Sequence, residues 1–271
     1  MYREFYNLRE APFNVTSDPE FLFLSPTHQE ALEHLRYGIE QRKGFLAITG
    51  EIGAGKTTLC RALVNHLDSK VKVALILNAV LPEIQLLEAI VDDFGITVEK
   101  RTKGALIKKI NQFLLEQLSR GNNAVLIIDE AQNMRFSALE TVRMLSNLET
   151  EKEKLLQIVL VGQPQLKDKL NAPELVQLKQ RIAVRFHIRA LNEQEVANYI
   201  QHRLSVAGSQ GRIVFSTAAI QAIFDHTGGV PRLINILADK ALLRGFVKEI
   251  FTLDQLHIQD CIKELDGEHL A

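Results

Sequence analysis

Eight consecutive residues, Gly50-Glu51-Ile52-Gly53-Ala54-Gly55-Lys56-Thr57, complete the pattern GxxxxGK[ST]. They follow the apolar run Phe45 to Thr49 and lead into a helical segment carrying Leu59, Ala62 and Leu63. A glycine-rich turn between a strand and a helix lets successive backbone N–H groups point at phosphate oxygens, and the helix adds the positive end of its dipole. Lys56 can then neutralise β- and γ-phosphate charge, and the Thr57 hydroxyl can join a Mg2+ shell. Thr58 completes the set expected to bind nucleotide. The alternative is a glycine-rich turn that matches by chance, and the flanking strand and helix weigh against it.

The constraint spreads along the chain, because such a turn belongs to a parallel α/β fold. The sequence predicts five strands, Phe45 to Thr49, Val73 to Leu77, Ala124 to Ile128, Gln157 to Val161 and Val184 to Ile188. Apolar residues at helical spacing separate them: Ile84, Leu87, Ile90, Val91 and Phe94 in one segment, Leu106, Ile110, Phe113, Leu114 and Leu118 in another. After about residue 190 the pattern predicts helices only. Asn192 with Glu195 reads as a capping box, Ser216 as a cap for Thr217 to Thr227 with Gly228 ending it, Pro231 as a helix start, and Thr252 with Gln255 as a last capping box. The expected division is an α/β nucleotide-binding domain over 1–191, including an amino-terminal segment 1–26, and a helical lid over 192–271.

A second acidic motif fits the first. The run Ala124 to Ile128 ends in Asp129 and Glu130, as a Walker B strand does. A strand buried on both faces delivers Asp129 to the sheet edge as a Mg2+ partner and sets Glu130 to activate the attacking water. Alone, two acids after a strand are more often a solvated loop; paired with the glycine-rich motif they read as catalytic.

With 271 residues, 46% hydrophobic and 24% charged, the chain has the makeup of a globular protein, and no run approaches the ~18 apolar residues of a membrane span. The opening MYREFYNLREAPF lacks the apolar core of a secretory signal, so a cytoplasmic location is expected. A formal net charge of −1 disfavours unspecific nucleic-acid binding. Cys60 and Cys261 lack CxxC or Cys/His companions, which points to two reduced, buried thiols rather than a metal site or a disulfide.

Taken together, the glycine-rich loop, Asp129-Glu130-Ala131-Gln132, Gly162-Gln163-Pro164, Gln180-Arg181-Ile182 and Gly228-Gly229-Val230-Pro231-Arg232 resemble an AAA+ ATPase. The opening segment, Phe21-Leu22-Phe23-Leu24-Ser25 with His28, and GFLAITGEIGAGKTTL are similar, over nearly the whole chain, to the general secretion pathway protein A (ExeA/GspA) ATPases. Their relatives include ATPases of MSHA pilus biogenesis and of exopolysaccharide and exosortase systems. The resemblance implies ATP and Mg2+ as ligands. It implies Gln163 as the sensor 1 group, Asn78 as a switch that holds Glu130 aside, Arg181 as an arginine finger with Arg185 as the alternative, and Arg232 as sensor 2. Each arginine also reads as an exposed salt-bridge partner. Phe13 and Pro231 are candidate walls of the adenine pocket, or ordinary core.

The implied partners are other copies of the chain in a nucleotide-dependent homo-oligomer, and a membrane-associated secretion, pilus or polysaccharide export component that would recruit the protein to the inner face of the membrane. Longer members continue into a membrane span and a peptidoglycan-binding domain, so cell-wall binding is not carried over to a sequence ending at Ala271. The rival functions are a DNA-associated AAA+ ATPase similar to transposition regulators, and a nucleotide switch without turnover.

Overall fold

The computed structural model describes residues 1–16, 18–151 and 153–267. The chain forms two compact units, one made of residues 27–50 and 59–188, the other of residues 1–26, 51–58 and 189–271.

The first unit holds a five-stranded sheet of β1 (Phe45–Gly50), β2 (Val71–Ile76), β3 (Asn123–Ile128), β4 (Gln157–Gly162) and β5 (Ile182–Ile188), in the order β2-β3-β4-β1-β5. All neighbours run parallel, so all carboxyl ends lie along one edge. The inner strands read as continuous apolar runs because helices cover both faces. In β3, Val125, Leu126, Ile127 and Ile128 are fully buried. The helix Glu83–Asp93 contributes Leu86, Leu87, Ile90 and Val91 to the core, while Ile84, expected on that face, is 45% exposed in the first turn; Lys103–Ser119 contributes Leu106, Ile110 and Leu114, with Phe113 and Leu118 partly buried against them. Thr102 caps the second of these by accepting from the Ala105 amide. At the edge, Asp93 Oδ2 accepts the Leu75 amide of β2 at 2.5 Å, which occupies an N–H that an open edge would leave exposed.

Register fixes what reaches the carboxyl edge. Thr49 of β1 pairs with Gly162 of β4, and Leu160 of β4 pairs with Ile128 of β3. Gly50, Asp129 and Gln163, each the last residue of its strand or the next one on, therefore share the edge where ligands of parallel α/β sheets bind.

The second unit is built on helices Glu193–Val206, Thr217–Thr227, Pro231–Val247 and Gln255–Leu265. The Asn192/Glu195 capping box forms, Ser216 accepts from the Ala219 amide, and Gly228 ends its helix at φ 56°. Three expectations are corrected here. The region is not helical only, since β6 (Val214–Phe215) pairs in parallel with β7 (Thr252–Leu253); two-residue strands carry no periodicity to read. The last capping box is Asp254 with His257 rather than Thr252 with Gln255, because Thr252 is taken into β7. The amino-terminal segment, expected in the α/β domain, belongs to the unit of these helices: Tyr6, Leu8, Phe13 and Phe21 lie in their apolar core. Arg203, buried, holds the segment by donating from Nε to the Pro12 carbonyl at 2.5 Å and from Nη2 to the Asn14 carbonyl at 3.1 Å, with its guanidinium 4.8 Å from the centre of the Phe21 ring. Phe13 is thus buried, in edge contact with Phe215.

Candidate functional site

In the helical unit the glycine-rich loop folds onto itself. The Ala54 amide donates to the Glu51 carbonyl at 3.1 Å, and Lys56 Nζ donates to the same carbonyl at 2.8 Å. Lys56 is only 5% exposed and begins the helix Lys56–His66, so its ammonium is desolvated at a helix amino terminus. Gly53 and Gly55 adopt φ +79° and +87°, values that favour glycine. Glu51 and Ile52 are exposed, and Thr57 and Thr58 are half-buried.

Arg232 stands against this loop. Its backbone amide donates to the Gly53 carbonyl at 3.3 Å, and a Cβ built on Gly53 would fall 2.5 Å from Arg232 Cβ and 3.3 Å from Val230 Cγ1. The approach is set by Gly229, at φ +74°, whose carbonyl accepts the Leu191 amide at 2.9 Å. Any side chain at Gly229 would strike the Leu191 carbonyl, 1.8 Å from an ideal Cβ. Pro231 opens the helix Pro231–Val247, and the Arg232 side chain is exposed.

In the sheet unit β3 delivers both acids to its carboxyl end. Asp129 is 2% exposed; its Oδ1 accepts the Glu130 amide at 2.8 Å, while its own amide donates to the Ile76 carbonyl at 2.9 Å. Glu130 sits at φ 52°, in the left-handed region, a conformation that costs a glutamate about 1 kcal/mol and that structures retain where the surroundings hold it. Its Oε2 accepts two amides, Gln132 Nε2 at 2.6 Å and Gln163 Nε2 at 3.1 Å. Gln132 Oε1 in turn accepts the Gln163 backbone amide at 3.0 Å, closing a ring of three residues. Beneath it, Lys169 Nζ donates to the Gln132 carbonyl at 2.6 Å and to the Met134 carbonyl, and burial pushes this amine below its ordinary pKa.

The other sequence-derived residues lie outside that ring. Asn78 is exposed, and its Oδ1 accepts the Val80 amide at 3.1 Å, a local turn rather than a bond to Glu130. Arg181 ends the helix Val176–Arg181 and donates from Nη1 to Ser146 Oγ at 2.9 Å and to Asn147 Oδ1, tying it to the end of the helix Phe136–Leu145. Arg185, on β5, is exposed and donates to the Lys179 carbonyl at 2.5 Å. Gln132 carries no role in the resemblance; its one sequence signal is a polar side chain two positions after Glu130. Among the described residues no group of three or more His, Cys, Asp and Glu side chains is placed to hold a metal ion by itself, and no helix is long and apolar enough to cross a membrane. Cys60 and Cys261 are buried free thiols.

Comparison with known proteins bears on the family and the fold. Residues 39–170 match the family model described as an AAA domain. General secretion pathway protein A of Aeromonas hydrophila is 43% identical over 249 residues, which cover 92% of this chain and 45% of that protein, so the chain spans about half the length of the curated relative it matches. Among solved structures, Cdc6p from Pyrobaculum aerophilum superposes with a TM-score of 0.68 at 14% identity, over 97% of this chain and 70% of that one. The ORC2 protein of Aeropyrum pernix, in ADPNP and ADP complexes, superposes with a TM-score of 0.63 at 16% identity, over 90% and 68%. At those identities the likeness concerns the fold alone.

Proposed function

We propose that this chain, which belongs to the general secretion pathway protein A family of AAA+ proteins, binds ATP with Mg2+ and hydrolyses it to drive an assembly or a conformational change. The observation that carries the proposal is the loop around Lys56: positive-φ glycines at 53 and 55, a buried ammonium, and no room for a side chain at Gly53. Such a loop fits an anion with several oxygens, because positive-φ glycines let successive backbone N–H groups converge on one point and a lysine at the start of the following helix adds a full positive charge beside them.

In this reading the backbone of Gly50 to Thr57, with Thr58, binds the phosphates, and Lys56 and Arg232 neutralise their charge. Glu130 takes a proton from the attacking water through the carboxylate that the two glutamines orient, and Gln163 senses the γ-phosphate. Thr57 and Asp129 are the expected partners of Mg2+, which when bound supplies positive charge to the phosphate oxygens. Arg181 serves a neighbouring copy in a homo-oligomer, with Arg185 as the alternative. Asn78 keeps a role only if it leaves its turn with Val80.

The name of the Aeromonas relative supports a task in secretion; in this reading the partner is a membrane-associated secretion or export component, met at the inner face of the membrane. Steady-state phosphate release from Mg·ATP by the wild type and by Glu130→Gln tests the enzymatic claim. Turnover in the wild type with loss of about 10²-fold or more in the variant is expected; equal rates would remove Glu130 from the chemistry.

A further inference from the structure

We propose that Gln132 is a positioning residue for hydrolysis: its side-chain amide fixes the Glu130 carboxylate in the orientation from which it acts, a role distinct from the holding-aside that the resemblance gives to Asn78. The assignment rests on the reading of Glu130 as the base.

The orientation of the Gln132 amide follows from chemistry. The Gln163 backbone N–H can only donate, so the oxygen of the Gln132 amide must face it, and it lies at 3.0 Å. That choice turns Nε2, a donor, toward Glu130, whose Oε2 lies at 2.6 Å. A carboxylate accepts and an amide nitrogen donates, so every partner in the ring is matched. Three further features hold Gln132 and Glu130 in place. Gly162 leaves the space that Oε1 occupies, since an ideal Cβ there would lie 2.6 Å from it. Lys169 pins the Gln132 carbonyl at 2.6 Å. Asp129 Oδ1 holds the Glu130 amide at 2.8 Å and so sustains the left-handed backbone from which the carboxylate projects.

The consequence is a division of labour on one carboxylate. Oε2 is saturated by two amide donors, and among the described residues Oε1 accepts no bond, which leaves Oε1 as the atom to receive a water's proton. Gln163 touches Glu130 both through its own side chain and through Gln132, so any displacement of Gln163 moves the base by two routes at once.

The test is a kinetic split. Gln132→Leu removes both amide contacts at similar volume, and Gln132→Glu keeps an acceptor for Gln163 N–H while setting a negative charge against Glu130. Both are expected to lower kcat about 10-fold or more, a share of the ~10²- to 10⁴-fold that a positioned base contributes, with KM and Mg·ATP affinity unchanged. In a Glu130→Asp background, where the shortened carboxylate no longer reaches the amide, Gln132→Leu should cost little more, because residues that act as a unit are not additive. Wild-type kcat in Gln132→Leu would overturn the proposal. So would an equal loss in both backgrounds, or a rise in KM, which would make Gln132 a structural residue only. Should the wild type itself show no turnover, the hydrolysis reading falls and this assignment falls with it. Turnover that is lost in Glu130→Gln yet kept in Gln132→Leu sinks the assignment alone.

Discussion

Arg232 and Gly53 are in backbone contact: the Arg232 amide donates to the Gly53 carbonyl at 3.3 Å, and Arg232 Cβ fills the space that a side chain at Gly53 would need. The first helical turn of Pro231–Val247 thus rests on the glycine-rich loop itself, and a change at Gly53 is felt by both. Gly53→Ala forces a left-handed alanine, costing about 1 kcal/mol, and drives its Cβ to 2.5 Å from Arg232 Cβ. The variant should fold, by circular dichroism, yet bind Mg·ATP about 10-fold or more weakly by fluorescence titration. Wild-type affinity would show that the loop tolerates a displaced Arg232.

Arg181 is held in its own subunit by Ser146 and Asn147, so its use in a neighbour's site requires those bonds to break or to orient it. Arg181→Ala should leave Mg·ATP affinity unchanged and lower assembled turnover by about 10³-fold or more, the range of a finger supplied in trans. The check is specific activity as a function of protein concentration: it should rise in the wild type and stay flat and low in the variant. A variant as active as the wild type throughout would shift the role to Arg185 or abolish it.

Acid should loosen the helical unit through His202. Burial depresses its pKa, the nearby Arg203 charge lowers it further, and a backbone hydrogen bond involving Leu22 opposes both; its Nε2 is buried without a partner among the described residues. The unfolded chain takes up the proton near pH 6.5 and the folded chain only at lower pH. Stability is therefore full above pH 6.5 and lost as pH falls through the depressed value. Denaturant unfolding between pH 7.5 and 5 should show this decline, and His202→Gln should flatten it. An unchanged slope in the variant would place the acid sensitivity elsewhere.

The nucleotide motifs and the sheet were legible because their information is local and repeated. A strand, a glycine-rich turn and a helix over Phe45 to His66 are contiguous, and Ala124 to Glu130 carries both its apolar run and its acids in seven residues. The five predicted strands differ from β1 to β5 by at most two residues at either end. What escaped notice depends on distant partners. The burial of Phe13 requires Phe215, the seating of residues 12–14 requires Arg203, and the role of Gln132 requires the Gln163 amide, 31 positions away. For Asn78 the sequence offers only a position at the end of a strand, and its side chain accepts the Val80 amide of its own turn.

Direct titration with Mg·ATP, comparing the wild type with Lys56→Ala, bears on the whole account most directly. Removing the buried ammonium deletes the charge that its loop is built around. The account predicts saturable binding of one nucleotide per chain in the wild type and a loss of about 10-fold or more in the variant, with the fold of both unchanged by circular dichroism. A wild type that binds no nucleotide, or a Lys56→Ala chain that binds it equally well, would contradict it.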